Sequence, residues 1–236
     1  MTVKKIQIWD LPLRVFHWLL VFTVISAYIT AEIGGESTDW HGCIGALALG
    51  LLTFRIIWGF VGSTHARFTD FFPTPSRLAK YLKGSWQTNG HNPLGALSVF
   101  ALLGALATLI GTGLFANDDI AFQGPLYNLI EKSSSDWMTG LHEIAFNVLL
   151  VLIVLHLSAI AFYLAIKKIN LVKPMVTGSK EASQATPIQT GGGGKVFFLM
   201  TLAISATIVW AVFSGVLIEY LEPAQSVPAN ISTPKW

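Results

Sequence analysis

The run LHEIAFNVLLVLIVLHL carries two imidazoles, His142 and His156, in a segment otherwise suited to hydrocarbon. An ionisable group inside a membrane span is costly and marks a functional site by default. On a helix, 14 residues at about 100° each come within about 40° of four full turns, so both imidazoles share one face, about 21 Å apart along the axis. The hydrocarbon core of a bilayer is about 30 Å thick. One histidine therefore lies near one membrane surface and the other in the opposite half. Two more, His17 and His41, fall in or at the end of other apolar windows. His41 or His142 alone would pass as a wetted residue at a helix end. His156 would not, because its window offers only Ser158 and Tyr163 as nearby polar side chains.

The elements that must position these residues are read from composition. The chain is 53% apolar and only 12% charged, where a soluble domain carries about 25% charge. Five apolar windows run over Leu11–Ala31, Cys43–Val61, Pro93–Ala116, Ile144–Ile166 and Val196–Ile218, with lengths of 21, 19, 24, 23 and 23 residues. About 20 suffice to cross a bilayer as a helix. The first window is longer than a signal-peptide core and holds Arg14 and His17, so it reads as a retained span. One cysteine, Cys43, excludes an internal disulfide and a C-x-x-C-H covalent attachment site.

Charge sorts the connections. The N-terminus, the Gly62–Asn92 loop and the Lys167–Lys195 loop, with Arg55, hold 13 of the 15 Lys/Arg and three acids, a net +10. Glu32–Gly42, Asn117–Glu143 and the tail from Glu219 hold two Lys and ten acids, a net −8. The positive-inside rule makes the first set cytoplasmic, which predicts five spans with the N-terminus inside and the C-terminus outside. STD before Trp40 and SSSD before Trp137 read as helix N-caps at the outer face, and Pro12 suits the first turn of span one. Thr177–Gly194, ending in four glycines, reads as a flexible linker. Span three, without histidine, reads as structural, and its Gly104, Gly111 and Gly113 as packing positions.

Depth then assigns partners. Span two starts outside, so His41 lies level with His142. Span one starts inside, so His17 lies in the leaflet of His156. Each pair can hold a planar metal macrocycle between helices of a bundle, and neutral imidazole is a good iron ligand. Arg55 follows His41 by 14 residues and shares its face of span two, pointing toward the inner site. Arg14 lies one turn before His17. Both can meet haem propionates as guanidinium forks; the alternative is snorkelling to the surface. Gly42, Gly45 and Gly140 leave room for a flat cofactor near the outer ligands. The loop histidines His65 and His91 read as structural or solvated, with His91 a candidate cap or polar contact.

The segments IWDLPLRVFHWLLVF, WHGCIGALALGLLTFRIIWGFVGSTHARF, GHNPLGAL and LHEIAFNVLLVLIVLHL resemble the bacterial cytochrome b561 family, in its branch related to the b-type cytochrome subunit of nickel–iron hydrogenases. The likeness covers about residues 6–170. It implies a four-helix di-haem b protein passing electrons between a membrane quinone and a redox partner, with His17, His41, His142 and His156 as axial ligands.

The expected fold is an all-α integral membrane protein of the bacterial inner membrane: a four-helix transmembrane bundle holding two haem b groups, plus a fifth transmembrane helix. Its expected parts are a di-haem core over 1–170, a cytoplasmic flexible linker over 171–195, the fifth helix over 196–220 and a periplasmic tail over 221–236. Lipid, a quinone or quinol and a periplasmic c-type cytochrome or other redox subunit are the expected partners; no nucleic acid is. Three other functions are a superoxide:quinone oxidoreductase, the cytochrome b subunit of a hydrogenase-like complex, and a small-solute transporter relaying protons through its histidines.

Overall fold

A computed structural model describes residues 4–86, 90–120, 122–182 and 193–221. The N-terminus begins as strand β1 (Lys4–Gln7), followed by helices α1 (Leu11–Ile33) and α2 (Ser37–Val61). Two short helices, α3 (Phe68–Phe71) and α4 (Pro75–Leu82), fill the next connection. Then come α5 (Pro93–Gly113), α6 (Lys132–Ala165), α7 (Val172–Thr177), strand β2 (Ser179–Ala182), α8 (Lys195–Phe213) and α9 (Val216–Leu221). Helices α1, α2, α5, α6 and α8 are each long and apolar enough to cross a membrane, with mean hydropathy from 1.6 to 2.6. Each exposes large apolar side chains, such as Phe22, Leu47, Val151 and Leu199, which in a bilayer face lipid rather than water. This is a multi-pass membrane protein.

Local chemistry sets the helix ends. Asp10 caps α1, its Oδ1 accepting from the Leu13 amide at 2.7 Å, with Pro12 just inside. Asn92 caps α5 through the Gly95 amide at 2.8 Å, so the cap falls to Asn92 and not to its neighbour His91. At the outer face the expected caps are displaced. The glycine pair Gly34–Gly35, with φ of 65° and 57°, turns the chain so tightly that α2 begins at Ser37. Thr38 and Asp39 thus lie in its first turn rather than before it. Helix α6 begins at Lys132, ahead of the serines. Its 34 residues span about 51 Å, so its first turns project beyond the hydrocarbon. There Ser135 donates to the Phe115 carbonyl at 2.6 Å, and Asn117 donates to Ser135 at 2.7 Å and to Asp136 at 2.9 Å.

Helix α2 is the hub, packing against α1, α5 and α8, while α6 packs along α5. One core cluster sits at the basic end, where Trp9, Leu13 and Phe16 meet Phe54, Trp58 and Ala66. A second lies at mid-membrane, with Ala48, Leu52, Leu106, Ile110 and Leu149 packed against Leu20, Val24 and Ile153. The fifth span joins the basic cluster through Phe198, whose ring lies 6.0 Å from both Phe54 and Trp58.

Part of the segment read as linker is folded. β2 pairs antiparallel with β1, matching Gln7 with Ser179 and Lys4 with Ala182. The turn that allows this is Gly178, at φ 81°, whose carbonyl accepts from the amides of Ile8 and Trp9. Residues 183–192 of that segment, and the tail beyond Leu221, lie outside the described residues.

Asp10 serves twice, since its Oδ2 accepts from the indole N–H of Trp58 at 3.0 Å. Trp58 is 1% exposed. Replacing Asp10 with Ala removes the cap, about 0.5–2 kcal/mol, and strands a buried donor, about 1–3 kcal/mol more. Asp10→Ala should destabilise the protein by about 2–4 kcal/mol, read as a lower Tm, and Asp10→Asn, whose single amide oxygen can replace only one of the two acceptors, should recover the cap but not the Trp58 bond.

Candidate haem-binding site

The outer pair is built from three helix contacts. His41 stands in the first turns of α2 and His142 in α6, with ring centroids 6.2 Å apart and planes at 81°. An imidazole nitrogen binds a first-row metal at about 2 Å, so a spacing of this size would leave room for one metal ion between the two rings. His41 Nδ1 lies 2.9 Å from the Ala27 carbonyl of α1, and His142 Nδ1 lies 2.8 Å from the Leu109 carbonyl of α5. A carbonyl only accepts, so in both rings Nδ1 carries the proton. That leaves both Nε2 lone pairs free for a metal, the arrangement in which the far nitrogen orients a ligand and strengthens it. Among the described residues no three His, Cys, Asp or Glu converge as a site for a bare metal ion. An iron already held in a macrocycle would ask the protein for only two ligands, and His41 and His142 are the residues that would supply them.

The surroundings add space and limits. Gly45 is one turn from His41, and a Cβ there would meet nothing within 4 Å. Gly140 is equally open, but two residues from His142 is about 200° around the helix, so it does not share the ligand face. Gly42 is not open: a Cβ would press on the Phe122 ring at 3.1 Å. Gly113 has a sharper role than helix packing, because a Cβ there would lie 2.9 Å from Cε1 of His142. Tyr28 and Phe146 stack at 5.5 Å across α1 and α6.

At the inner level, His156 lies within electrostatic range of His17. Nδ1 of His17 is buried without a hydrogen-bond partner, a cost that a ligand or water must meet. The mid-membrane cluster around Leu52, Leu106 and Leu149 separates this level from the outer one.

The arginines differ. Arg55 is 2% exposed, donates to the Ala66 carbonyl at 3.2 Å and lies over the Phe68 ring at 4.4 Å. It does not snorkel, and most of its donors stay uncommitted. Arg14 donates to the Val176 carbonyl of α7, while its Nε is buried and unpaired. The loop histidines join the basic-end core. His65 Nδ1 lies 3.1 Å from Asp70, and His91 packs between Trp9 and Phe71 at 4.5 and 4.4 Å. Burial first, then the charges of Arg55 and His65, lower the pKa of His91 to about 3, so it stays neutral at neutral pH.

The sequence pattern of the prokaryotic cytochrome b561 family matches residues 8–178, from the end of β1 to the turn before β2. The chain belongs to that family. It is thus a membrane b-type cytochrome, which implies haem b as its cofactor. The fifth span, α8, lies beyond the matched region. Among similar proteins is one from Azotobacter chroococcum mcd 1, a "Probable Ni/Fe-hydrogenase B-type cytochrome subunit", 25% identical over 73% of this chain and 87% of its own. A protein of the same description from Rhizobium leguminosarum bv. viciae is 20% identical over 75% of this chain and 89% of its own. The "Probable Ni/Fe-hydrogenase 1 B-type cytochrome subunit" of Escherichia coli K12 is 22% identical over 55% of this chain and 69% of its own. No solved structure matches.

When bound, haem would supply the one-electron chemistry, and His41 and His142, each with its tautomer set by a backbone carbonyl, are the residues that would hold it. Gly113→Ala should therefore push the His142 ring off the Leu109 carbonyl. Loss of such an orienting contact costs about 10–100-fold in metal affinity. Haem retained on purification should fall, while Gly111→Ala, in open space, should leave it unchanged.

Proposed function

We propose that the chain holds two non-covalent haem b groups, one between His41 and His142 and one between His17 and His156, and conducts electrons across the membrane between the quinone pool and a periplasmic redox protein. The observation that carries the reading is the outer pair: two imidazoles at an iron-bridging distance, each with Nδ1 committed to a neighbouring helix carbonyl. The second pair rests on the shared face of His142 and His156 and on the unpaired Nδ1 of His17. Arg55, and Arg14 through its free Nε, are the proposed propionate contacts. The charge asymmetry supports the bacterial inner membrane, with the N-terminus cytoplasmic and the C-terminus periplasmic.

A second reading has a specific support. The relatives described above are named as hydrogenase b-type cytochrome subunits, which favours a chain that takes its electrons from a hydrogenase-like partner subunit and passes them to quinone.

Haem quantitation and redox titration test the core of the proposal. The wild type should carry two b haems per chain. His41→Ala and His142→Ala should lose one and the same redox component, and His17→Ala and His156→Ala the other. One haem per chain, or His17 and His41 behaving alike, would reject it. Absence of a Soret band would point to the transporter function instead.

The outer acids favour a basic partner such as a c-type cytochrome, because a field of one sign steers opposite charge. Asp136 contributes least, since Lys132 sits 2.9 Å from it and also pairs with Asp119. Glu36, Asp39 and Glu143 are exposed, or nearly so, beside the outer ligands. A basic c-type cytochrome added to sphaeroplasts should exchange electrons at a rate that falls steeply with salt. Neutralising Glu36 and Asp39 should slow it at low salt, and neutralising Asp136 should matter less. A salt-independent rate would instead favour a partner held within the membrane.

A further inference from the structure

Where the short helix α4 meets the end of α6, a hydrogen-bonded knot joins two segments that each carry a pair of lysines. Tyr81 of α4 and Tyr163 of α6 share a hydrogen bond of 2.5 Å, and Asn92 donates to Tyr163 at 2.9 Å. This knot ties the segment that carries Lys80 and Lys83, flanking Tyr81, to the end of α6, which Lys167 and Lys168 follow. All four lysines are exposed, and among the described residues none of them has an ion pair. Two carboxylates on this side of the membrane are already engaged elsewhere. Asp10 is committed to the Leu13 amide and Trp58, and Asp70 to His65. The lysines alternate with apolar side chains that are also bare: Leu82 is 71% exposed and Ile166 66%. Lysines in register with exposed leucine and isoleucine at a span's end match the boundary between phosphate headgroups and acyl chains.

We propose that this junction is a binding site for an anionic phospholipid, its phosphate held by Lys80, Lys83, Lys167 and Lys168 and its acyl chains lying along Leu82 and Ile166. The Tyr81–Tyr163–Asn92 knot makes it a site rather than a diffuse basic rim, because it fixes lysines of two segments around one headgroup. The ligand is lipid and not free phosphate, since the apolar flank has no counterpart in an inorganic anion. The inference needs only that α6 spans the membrane and is independent of haem number or redox partner.

The test is a lipid titration of the purified holoprotein in neutral detergent, followed by Tm. Phosphatidylglycerol should raise Tm saturably, and phosphatidylcholine and inorganic phosphate should not. A basic side chain near an anionic surface contributes about fivefold in affinity, so K80Q/K83Q/K167Q/K168Q should bind at least 100-fold more weakly. Y81F keeps every charge but breaks the knot and should weaken binding several-fold. K195Q, which removes a lysine on the same side at the start of α8, should change nothing. Native mass spectrometry of the wild type should show phosphatidylglycerol retained in preference to phosphatidylcholine, a readout that does not depend on any variant folding. Equal effects of K195Q and the junction lysines, an equal response to inorganic phosphate, or no preference among retained lipids would each overturn the proposal.

Discussion

A side chain that offers one nitrogen to a metal inside hydrocarbon has to satisfy its other nitrogen there too, because no water is present to do so. As the proposed ligands, His41 and His142 meet this demand with backbone: the Ala27 carbonyl of α1 and the Leu109 carbonyl of α5. A carbonyl oxygen has two lone pairs, so each can keep its helical bond and still accept from the ring. The cost is geometric. Each ligand helix must sit within hydrogen-bond reach of a particular turn of another helix, and the bundle cannot slide without breaking the contact. Helix α5 shows the effect most clearly. It has no histidine, yet it supplies the oxygen that holds His142 and, at Gly113, the gap that admits the ring.

The same economy shapes α2. Its ligand face carries His41, Gly45, Ala48, Leu52 and Arg55 in one stripe, with Ala48 and Leu52 packed in the mid-membrane core. Its opposite face, about 180–220° round at Gly50 and Phe54, receives Val209 and Phe198 of α8. The fifth span thus attaches without entering the ligand-lined interior. At the basic end, Trp58 and Asp10 lock the start of α1 to the end of α2, while Arg55 is clamped by the 64–68 loop through Ala66 and Phe68. A guanidinium buried this deeply is expensive unless paired. Its Coulombic partner is Asp10, which makes that carboxylate the electrostatic anchor of the basic end as well as a cap.

Much of this was legible in the sequence, and for stated reasons. Hydropathy located the spans because lipid imposes length and apolarity on a helix directly. The 14-residue intervals from His41 to Arg55 and from His142 to His156 were legible because helical period turns spacing into direction. What escaped was whatever depends on backbone or on chain return. Ala27 and Leu109 act through carbonyls that every residue has, so their side chains give no signal. The early start of α6 was hidden because Lys132 and the serines look like loop until Asn117 and Phe115 supply partners for Ser135 and Asp136. Asp136 read as a bare acid because Lys132 is its only nearby opposite charge in sequence and Asp119 shares it. The strand at Ser179–Ala182 sat in a polar, glycine-flanked stretch whose pairing partner is at the other end of the matched region.

That small ribbon has a bearing on how the protein is made. Lys4–Gln7 leaves the ribosome ahead of its partner Ser179–Ala182, which is translated about 175 residues later, roughly 10–35 s at ordinary elongation rates. Between them four spans must be threaded into the bilayer, with both ends of the ribbon kept on the same side. An even number of crossings satisfies that condition and an odd number does not. The ribbon can therefore close only over a unit whose four intervening spans have crossed an even number of times.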